Sequence, residues 1–290
     1  MNPQQQAMIF GVSAVLLWST VATAFKLSLR YSTPIELLLY SSLFSTLVIG
    51  TILRVQHKFY LVLQCARQEY LLSMLLGFLS PFLYYLILFK AYDLLPAQQA
   101  QPINYTWAIT LSLLSVPLLK QKVGWQLWLA LMVSYCGVVI ISTEGDPFSL
   151  HFTSPFGVAL ALISTVIWAL YWIFNTRDKR DPVVALFLNF LFSLPFILLY
   201  YLLIGEPSIP RINALLGGIY VCTFEMGICF VLWLKAMKLT ENTARISNLI
   251  FLSPFLSLVF IHFLLGEEIL PSTFVGLILI LAGLGCQRIR

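Results

Sequence analysis

Long apolar stretches alternate with short polar breaks from one end of the chain to the other. Apolar residues dominate 8–27, 34–53, 70–89, 99–118, 125–142, 155–175, 183–204, 212–234, 244–264 and 271–287. Each stretch is close to the roughly 20 residues that a helix needs to cross the hydrocarbon of a bilayer. The pattern predicts an all-α integral membrane fold of ten transmembrane helices. The fifth and tenth stretches are the shortest, and the fourth opens on a polar turn. The runs are continuous rather than alternating with period two, which argues against a transmembrane β-barrel.

Composition agrees with the pattern. Hydrophobic residues make up 60% of the chain and charged residues 10%, too few polar side chains to coat a soluble domain of this length. Met1 to Ala7 carry no Lys or Arg and the apolar run after them is long enough to span, so no cleavable signal peptide is expected. Of the five cysteines, only Cys65 lies outside the predicted spans, which speaks against a disulfide framework.

The net charge of +5 is explained by topology rather than by a nucleic-acid partner. Lys and Arg accumulate in cytoplasmic loops. With the N-terminus inside, Arg54, Lys58, Arg67, Lys120, Lys122, Arg177, Lys179, Arg180, Lys235, Lys238, Arg245, Arg288 and Arg290 fall on the cytoplasmic side. Only Lys26, Arg30, Lys90 and Arg211 fall outside. The expectation is a multi-pass protein of a bacterial-type inner membrane with both termini cytoplasmic. Each loop charge is read as a solvated topology anchor.

The two halves echo one another. Leu88-Phe89-Lys90-Ala91 ends the third stretch, and Trp233-Leu234-Lys235-Ala236 ends the eighth, 145 residues later. Gly137 and Gly283 fall near the ends of the fifth and tenth. Residues 1–145 and 146–290 are therefore read as two five-helix repeats. An odd number of spans per unit makes the second repeat inverted, an arrangement characteristic of secondary transporters, whose sites lie near the midplane.

Several short motifs, in order, carry a resemblance. They are Leu17-Trp18-Ser19-Thr20 with Lys26, Trp168-Ala169, Lys235-Ala236, Ser253-Pro254, and Gly266-Glu267 followed by Gly276 and Ala282-Gly283. Together they resemble the drug/metabolite transporter superfamily, in its EamA-type branch. Asn104-Tyr105-Thr106-Trp107 adds a likeness to that superfamily's aromatic amino acid exporters, with Ala108 where those carry proline. The resemblance implies efflux of amino acids or related metabolites. It also implies that the third, fourth, eighth and ninth spans lie near a central cavity, and lifts Lys26 above a plain snorkelling anchor.

Candidate residues follow from polarity inside the apolar stretches. Glu225 sits midway along the eighth, with no charged neighbour for nine residues on either side. A charge at a helix centre costs roughly 2.5–3.5 kcal/mol on insertion scales, so Glu225 should face protein or water. It is either a proton-coupling or substrate-amine site, or a structural carboxyl satisfied by a neighbour such as Asn104 or Ser253. In the fourth stretch Gln101, Asn104, Tyr105, Ala108, Ser112 and Ser115 share one helical face. That face either lines a cavity or bonds to other helices. Pro102 is assigned to the first turn.

Trp168, Tyr171, Trp172 and Asn175 recur at helical spacing in the sixth stretch, with the interfacial reading favoured for Trp172. Pro254 interrupts the ninth after Ser247 and Asn248. His262 lies near its outer end, with Glu267 and Glu268 solvated beyond it. The substrate-binding candidates are Asn104, Tyr105, Trp107, Trp168, Glu225 and Asn248, with Glu225 also the proton-coupling candidate.

No GxxxxGK[ST] loop, H-E-x-x-H motif or Cys/His cluster appears. No cofactor, metal or catalytic residue is called for. The expected function is secondary transport of a small molecule by alternating access. Two alternatives are a nucleotide-sugar or other solute carrier of the same superfamily, and a membrane enzyme or assembly factor acting on lipid-linked substrates.

Overall fold

A computed structural model describes residues 2–119, 125–148, 152–175, 178–205, 209–239 and 249–286. Among them every regular element is a helix. The first stretch holds α1 (Pro3–Ser19) and α2 (Val21–Leu29), followed by α3 (Pro34–Val55) and a short α4 (Tyr60–Leu63). α5 (Arg67–Gly77) is followed by Phe78–Leu83, where the chain kinks at Ser80, whose backbone is extended (φ −151°, ψ 125°), before α6 (Tyr84–Leu94). Then come α7 (Ala97–Tyr105), α8 (Trp107–Leu119), α9 (Trp125–Ser142), α10 (Pro155–Asn175) and α11 (Pro182–Ile204). α12 (Ile212–Val221) passes through a π segment, Cys222–Gly227, into α13 (Ile228–Leu239). The 3-10 turn Leu249–Leu252 leads to α14 (Ser253–Phe260), the π segment Ile261–Leu265 and finally α15 (Pro271–Cys286).

Six of these rods are long and apolar enough to cross a membrane: Pro3–Leu29, Pro34–Val55, Arg67–Leu94, Pro155–Asn175, Pro182–Ile204 and Ile212–Trp233. Trp128–Ser142, Ser253–Leu265 and Pro271–Gly285 are shorter apolar helices.

Many of these helices begin at a polar residue followed by proline. Asn2 and Thr33 each form a capping box, with Gln5 and Glu36 reaching back to the cap's own N–H. Ser154 Oγ accepts from Gly157 N–H at 3.1 Å ahead of α10. Asp181 accepts from Val183 N–H at 2.9 Å ahead of α11. Proline at the next position is preset for the helix and gives up only an N–H that has no intrahelical partner, while the cap oxygen satisfies another.

The helices form two compact units, one of Met1–Leu86 with Asp178–Phe260, the other of Ile87–Arg177 with Ile261–Arg290. Each draws helices from both 1–145 and 146–290, so the units are not the sequence halves. In the first unit α1 and α2 run antiparallel to the rod of α12 and α13. Ala7 packs with Ala236, Cys229 Sγ bonds to Ala14 O at 3.3 Å, and Tyr220 Oη donates to Thr20 Oγ1 at 2.8 Å. α3 and α11 are also antiparallel: a Cβ at Gly50 would stand 3.0 Å from the Phe187 ring, and Tyr40 faces Tyr201 near the other ends. α5 instead runs parallel to α11, with Tyr70 on Phe192 and Phe82 on Tyr200, each pair 6.1 Å between ring centres.

In the second unit α9 and α15 cross antiparallel at small residues. Gly137 lies against Gly276, Gly283 lies against Ala130 O, and Ser134 Oγ donates to Ile280 O at 3.2 Å. α7 and α8 run parallel to α10, through Asn104 Nδ2 to Ser164 Oγ at 3.0 Å and Thr110 to Thr165 at 3.0 Å.

Four expectations change. Pro102 sits in the second turn of α7, not the first. Its missing N–H and its ring disturb the bond to the carbonyl four residues back, and the helix breaks four residues later at Thr106. Pro254 does not interrupt an α-helix. It stands in the first turn of α14, where the backbone changes from 3-10 to α.

Arg180 is not solvated. Its side chain and that of Asp178 are each 5% exposed. Their contacts run from Arg180 Nε to Asp178 Oδ1 at 2.9 Å and from Nη2 to Oδ2 at 2.6 Å, with Nη2 also donating to Ser73 Oγ at 2.8 Å. Burial alone would raise the Asp178 pKa, but the Arg180 hydrogen bonds and charge hold it below its ordinary value.

Glu267 is not simply solvated either. Its two oxygens accept from Ala97 N–H at 3.0 Å and Gln98 N–H at 3.2 Å, capping α7 from 170 residues away. Gly266, at φ +72°, turns the chain to make this possible.

Candidate functional site

Glu225 lies in the π segment Cys222–Gly227, where the wider turn adds a residue to the α-helical register. Gly227 permits that turn, since a Cβ there would stand 2.6 Å from Cys222 O. Single-turn π segments inside α-helices occur often at functional sites. With Lys90 set against Lys235, the kinked segment Phe78–Leu83 of the third stretch falls at the same place to within one residue, and Ser80, where it kinks, aligns with Glu225.

The carboxylate of Glu225 is partly buried and turned toward α1 and α6. Tyr85 Oη donates to its Oε1 at 2.9 Å, and the Trp18 side chain reaches the same group. Both donors are neutral. Tyr85 is 1% exposed, so its hydroxyl requires a partner within the protein. Trp18 is itself packed against Phe230 and Trp233, at ring distances of 6.2 and 5.2 Å.

The partners expected for Glu225 were Asn104 and Ser253. Asn104 instead bonds to Ser164, and the Ser253 hydroxyl is buried with no partner among the described residues. Tyr85 was missed, although a tyrosine inside an apolar stretch needs an acceptor and this chain has a lone mid-span acid to offer one.

Asn104, Tyr105, Trp107 and Trp168 belong to the second unit. Asn104 meets α10 one turn before Trp168, and Trp168 stacks on Tyr171 at 5.4 Å with Trp172 edge-on at 5.7 Å. On the polar face of the fourth stretch, Gln101 is 4% exposed and Ser112 Oγ bonds back to Ala108 O at 3.0 Å. Asn248, Ser247 and the Ser115 side chain lie outside the described residues. No group of three or more His, Cys, Asp or Glu side chains that could hold a metal occurs among the described residues.

Apolar helices of spanning length, with polar side chains engaged inside the bundles, define a multi-pass helical membrane protein. The EamA-like transporter family model matches the chain twice, over residues 5–143 and 155–286. The chain belongs to that family, whose members are small-solute transporters of the drug/metabolite superfamily rather than enzymes. A solved crystal structure, described only as that of a protein, is 20% identical over 98% of this chain and 96% of its own, with a TM-score of 0.67. It shares the fold. No curated protein matches the sequence.

Proposed function

We propose that this chain is a proton-coupled secondary transporter that exports amino acids or related small metabolites across an inner membrane by alternating access. Ten spans with both termini cytoplasmic form two inverted five-helix repeats, 1–145 and 146–290. Helix directions support the span count. Partners an odd number of stretches apart run antiparallel, namely first with eighth, second with seventh and fifth with tenth. Partners an even number apart run parallel, namely third with seventh and fourth with sixth. A missed or extra crossing would break that parity. The second/seventh and fifth/tenth pairs are repeat equivalents crossing in opposite directions, as an inverted repeat requires.

The observation that carries the coupling is Glu225, a carboxylate in a π segment held by the neutral donors Tyr85 and Trp18. A group that must bind and release a proton in each cycle stalls when fixed in one state. Glu225→Gln, reconstituted at equal protein level, is expected to lose flux driven by a pH gradient while keeping exchange of substrate. Gradient-driven flux equal to wild type would end the coupling role and leave the family assignment intact.

A further inference from the structure

We infer that the stretch between α3 and α5 is an interfacial anchor that recognises anionic phospholipids. Arg54 and Arg67 meet the headgroups, and Tyr60 and Leu63 enter the acyl boundary beside them. The inference needs only a bilayer around the chain and goes beyond the transport reading.

The stretch is built onto the bundle. α3 closes on His57 at φ +54°. Lys58 N–H donates to Leu53 O at 2.9 Å, and His57 N–H donates to Arg54 O at 3.1 Å. This pair of bonds around a left-handed residue satisfies the last helix carbonyls and turns the chain off the helix axis. Phe59 then packs edge-on against Phe187 of α11 at 5.7 Å, and Lys58 Nζ pairs with Asp181 Oδ2 at 2.7 Å. Tyr70 Oη donates to Val62 O at 2.6 Å, and the Val62 side chain is buried. One side of α4 is thus held on the end of the first unit.

The other side is apolar and uncovered. Val55, Tyr60 and Leu63 are 73%, 57% and 78% exposed. On α3, Val55 ends an exposed stripe that includes Leu43 and Leu47, and on α5 Arg67 begins one with Leu71, Leu75 and Phe78. Apolar stripes on rods of spanning length lie against hydrocarbon, so the place where both stripes stop is the level of the headgroups. Tyrosine favours that level, and a leucine there gains by leaving water for the acyl boundary.

The charge at this level is positive. Arg54, His57 and Arg67 are exposed. The acids close by are already engaged, Asp181 with Lys58 and Glu69 with the Ala66 N–H at 2.6 Å. Guanidinium groups bind phosphate oxygens in charge-assisted pairs. A zwitterionic headgroup offers the same phosphate but carries its own cation beside it, whereas an anionic headgroup leaves the phosphate charge to the protein. Each basic side chain near an anionic surface contributes roughly a fivefold preference. A soluble anion would match the charges and leave Tyr60 and Leu63 in water.

The amides of Leu61, Val62 and Gln64, each bonded within the stretch, report its occupancy. Their hydrogen exchange is measured on the full-length protein in single-copy nanodiscs of phosphatidylglycerol or of phosphatidylcholine, with thermal melting to establish that each variant is folded. Exchange is expected to be at least about tenfold slower in phosphatidylglycerol, given two basic contacts of roughly fivefold each. Arg54→Gln combined with Arg67→Gln should bring the phosphatidylglycerol rates to those in phosphatidylcholine. Leu63→Ser should speed exchange in both lipids. The exposed Lys179, at the same end of the unit, controls for the general effect of a charged surface. Equal rates in the two lipids, a lipid difference that survives the double variant, or equal slowing at Lys179 overturns the inference. Equal protection by free glycerophosphoglycerol in phosphatidylcholine discs would assign the surface to a soluble anion, and protection only in two-copy discs would assign it to a second chain. Either result overturns it too.

Discussion

Gly137 and Gly276 meet backbone to backbone where α9 crosses α15. A Cβ added to Gly137 would stand 2.5 Å from Gly276 O, and one added to Gly276 would stand 2.6 Å from Gly137 O. Small residues at such crossings let membrane helices approach closely enough for van der Waals packing to hold them together.

Gly137→Val and Gly276→Val should therefore each destabilise the protein by about 3 kcal/mol, the upper part of the overpacking range, because the obstructing atom is backbone and cannot rotate away. Gly285, with open space around it, is the control: Gly285→Ala should leave stability within about 0.5 kcal/mol, as for substitutions that disturb no packing. Thermal denaturation in detergent, followed by loss of the monodisperse species, reads the difference. Equal melting temperatures for all three variants would mean the crossing is looser than described.

Glu267 should matter through the start of α7. Its carboxylate accepts from Ala97 and Gln98 N–H, while Gln98 Oε1 accepts from Leu270 N–H at 3.0 Å and Thr273 Oγ1 at 2.9 Å. Glu267→Ala leaves two N–H groups unpaired and should cost about 2 kcal/mol, the upper end of measured cap losses. Hydrogen exchange at the amides of Ala97 and Gln98 should rise more than tenfold, while those in the middle of α10 stay protected. Unchanged exchange at Ala97 and Gln98 would show the cap to be idle.

Asp178 and Arg180 set an acid limit on stability. A carboxylate whose pKa is depressed in the folded state is deprotonated more readily there than in the unfolded chain. Its stabilisation is complete above its ordinary pKa of 3.8 and is lost as pH falls through the lower folded value. Asp178→Asn should cost about 3 kcal/mol at neutral pH, the low end for breaking a buried pair, and should flatten this part of the acid dependence. Melting temperatures from pH 7 down to pH 3 test it. A wild-type acid slope in the variant would assign the dependence to other carboxylates.

Opposite sides are expected for reporters fused to chains truncated after Glu144 and after Arg180, extracytoplasmic for the first and cytoplasmic for the second. Both reporters on one side would overturn the orientation drawn from the loop charges.

Much of this was legible along the chain. The apolar runs located the helices; the starts that a capping oxygen and proline impose at Asn2-Pro3, Thr33-Pro34, Ser154-Pro155 and Asp181-Pro182 are equally local, although the apolar pattern did not single them out. The match between Lys90 and Lys235 suggested a repeat, and in that alignment the kinked segment Phe78–Leu83 falls opposite the π segment Cys222–Gly227. Glu225 stood out because an acid inside an apolar helix is costly wherever the helix goes.

Partners were a different matter. Charge and polarity name a group that needs satisfying, but not which of several distant groups satisfies it. Glu225 found Tyr85, 140 residues away, rather than Asn104 or Ser253, and Glu267 left solvent to cap α7. Arg180, read as a solvated anchor, is held by Asp178 and Ser73. Helix formation is decided within a few residues by bonds four apart, so the sequence alone determined it. Which faces then meet depends on the packing of the whole bundle, and only the tertiary structure decided that.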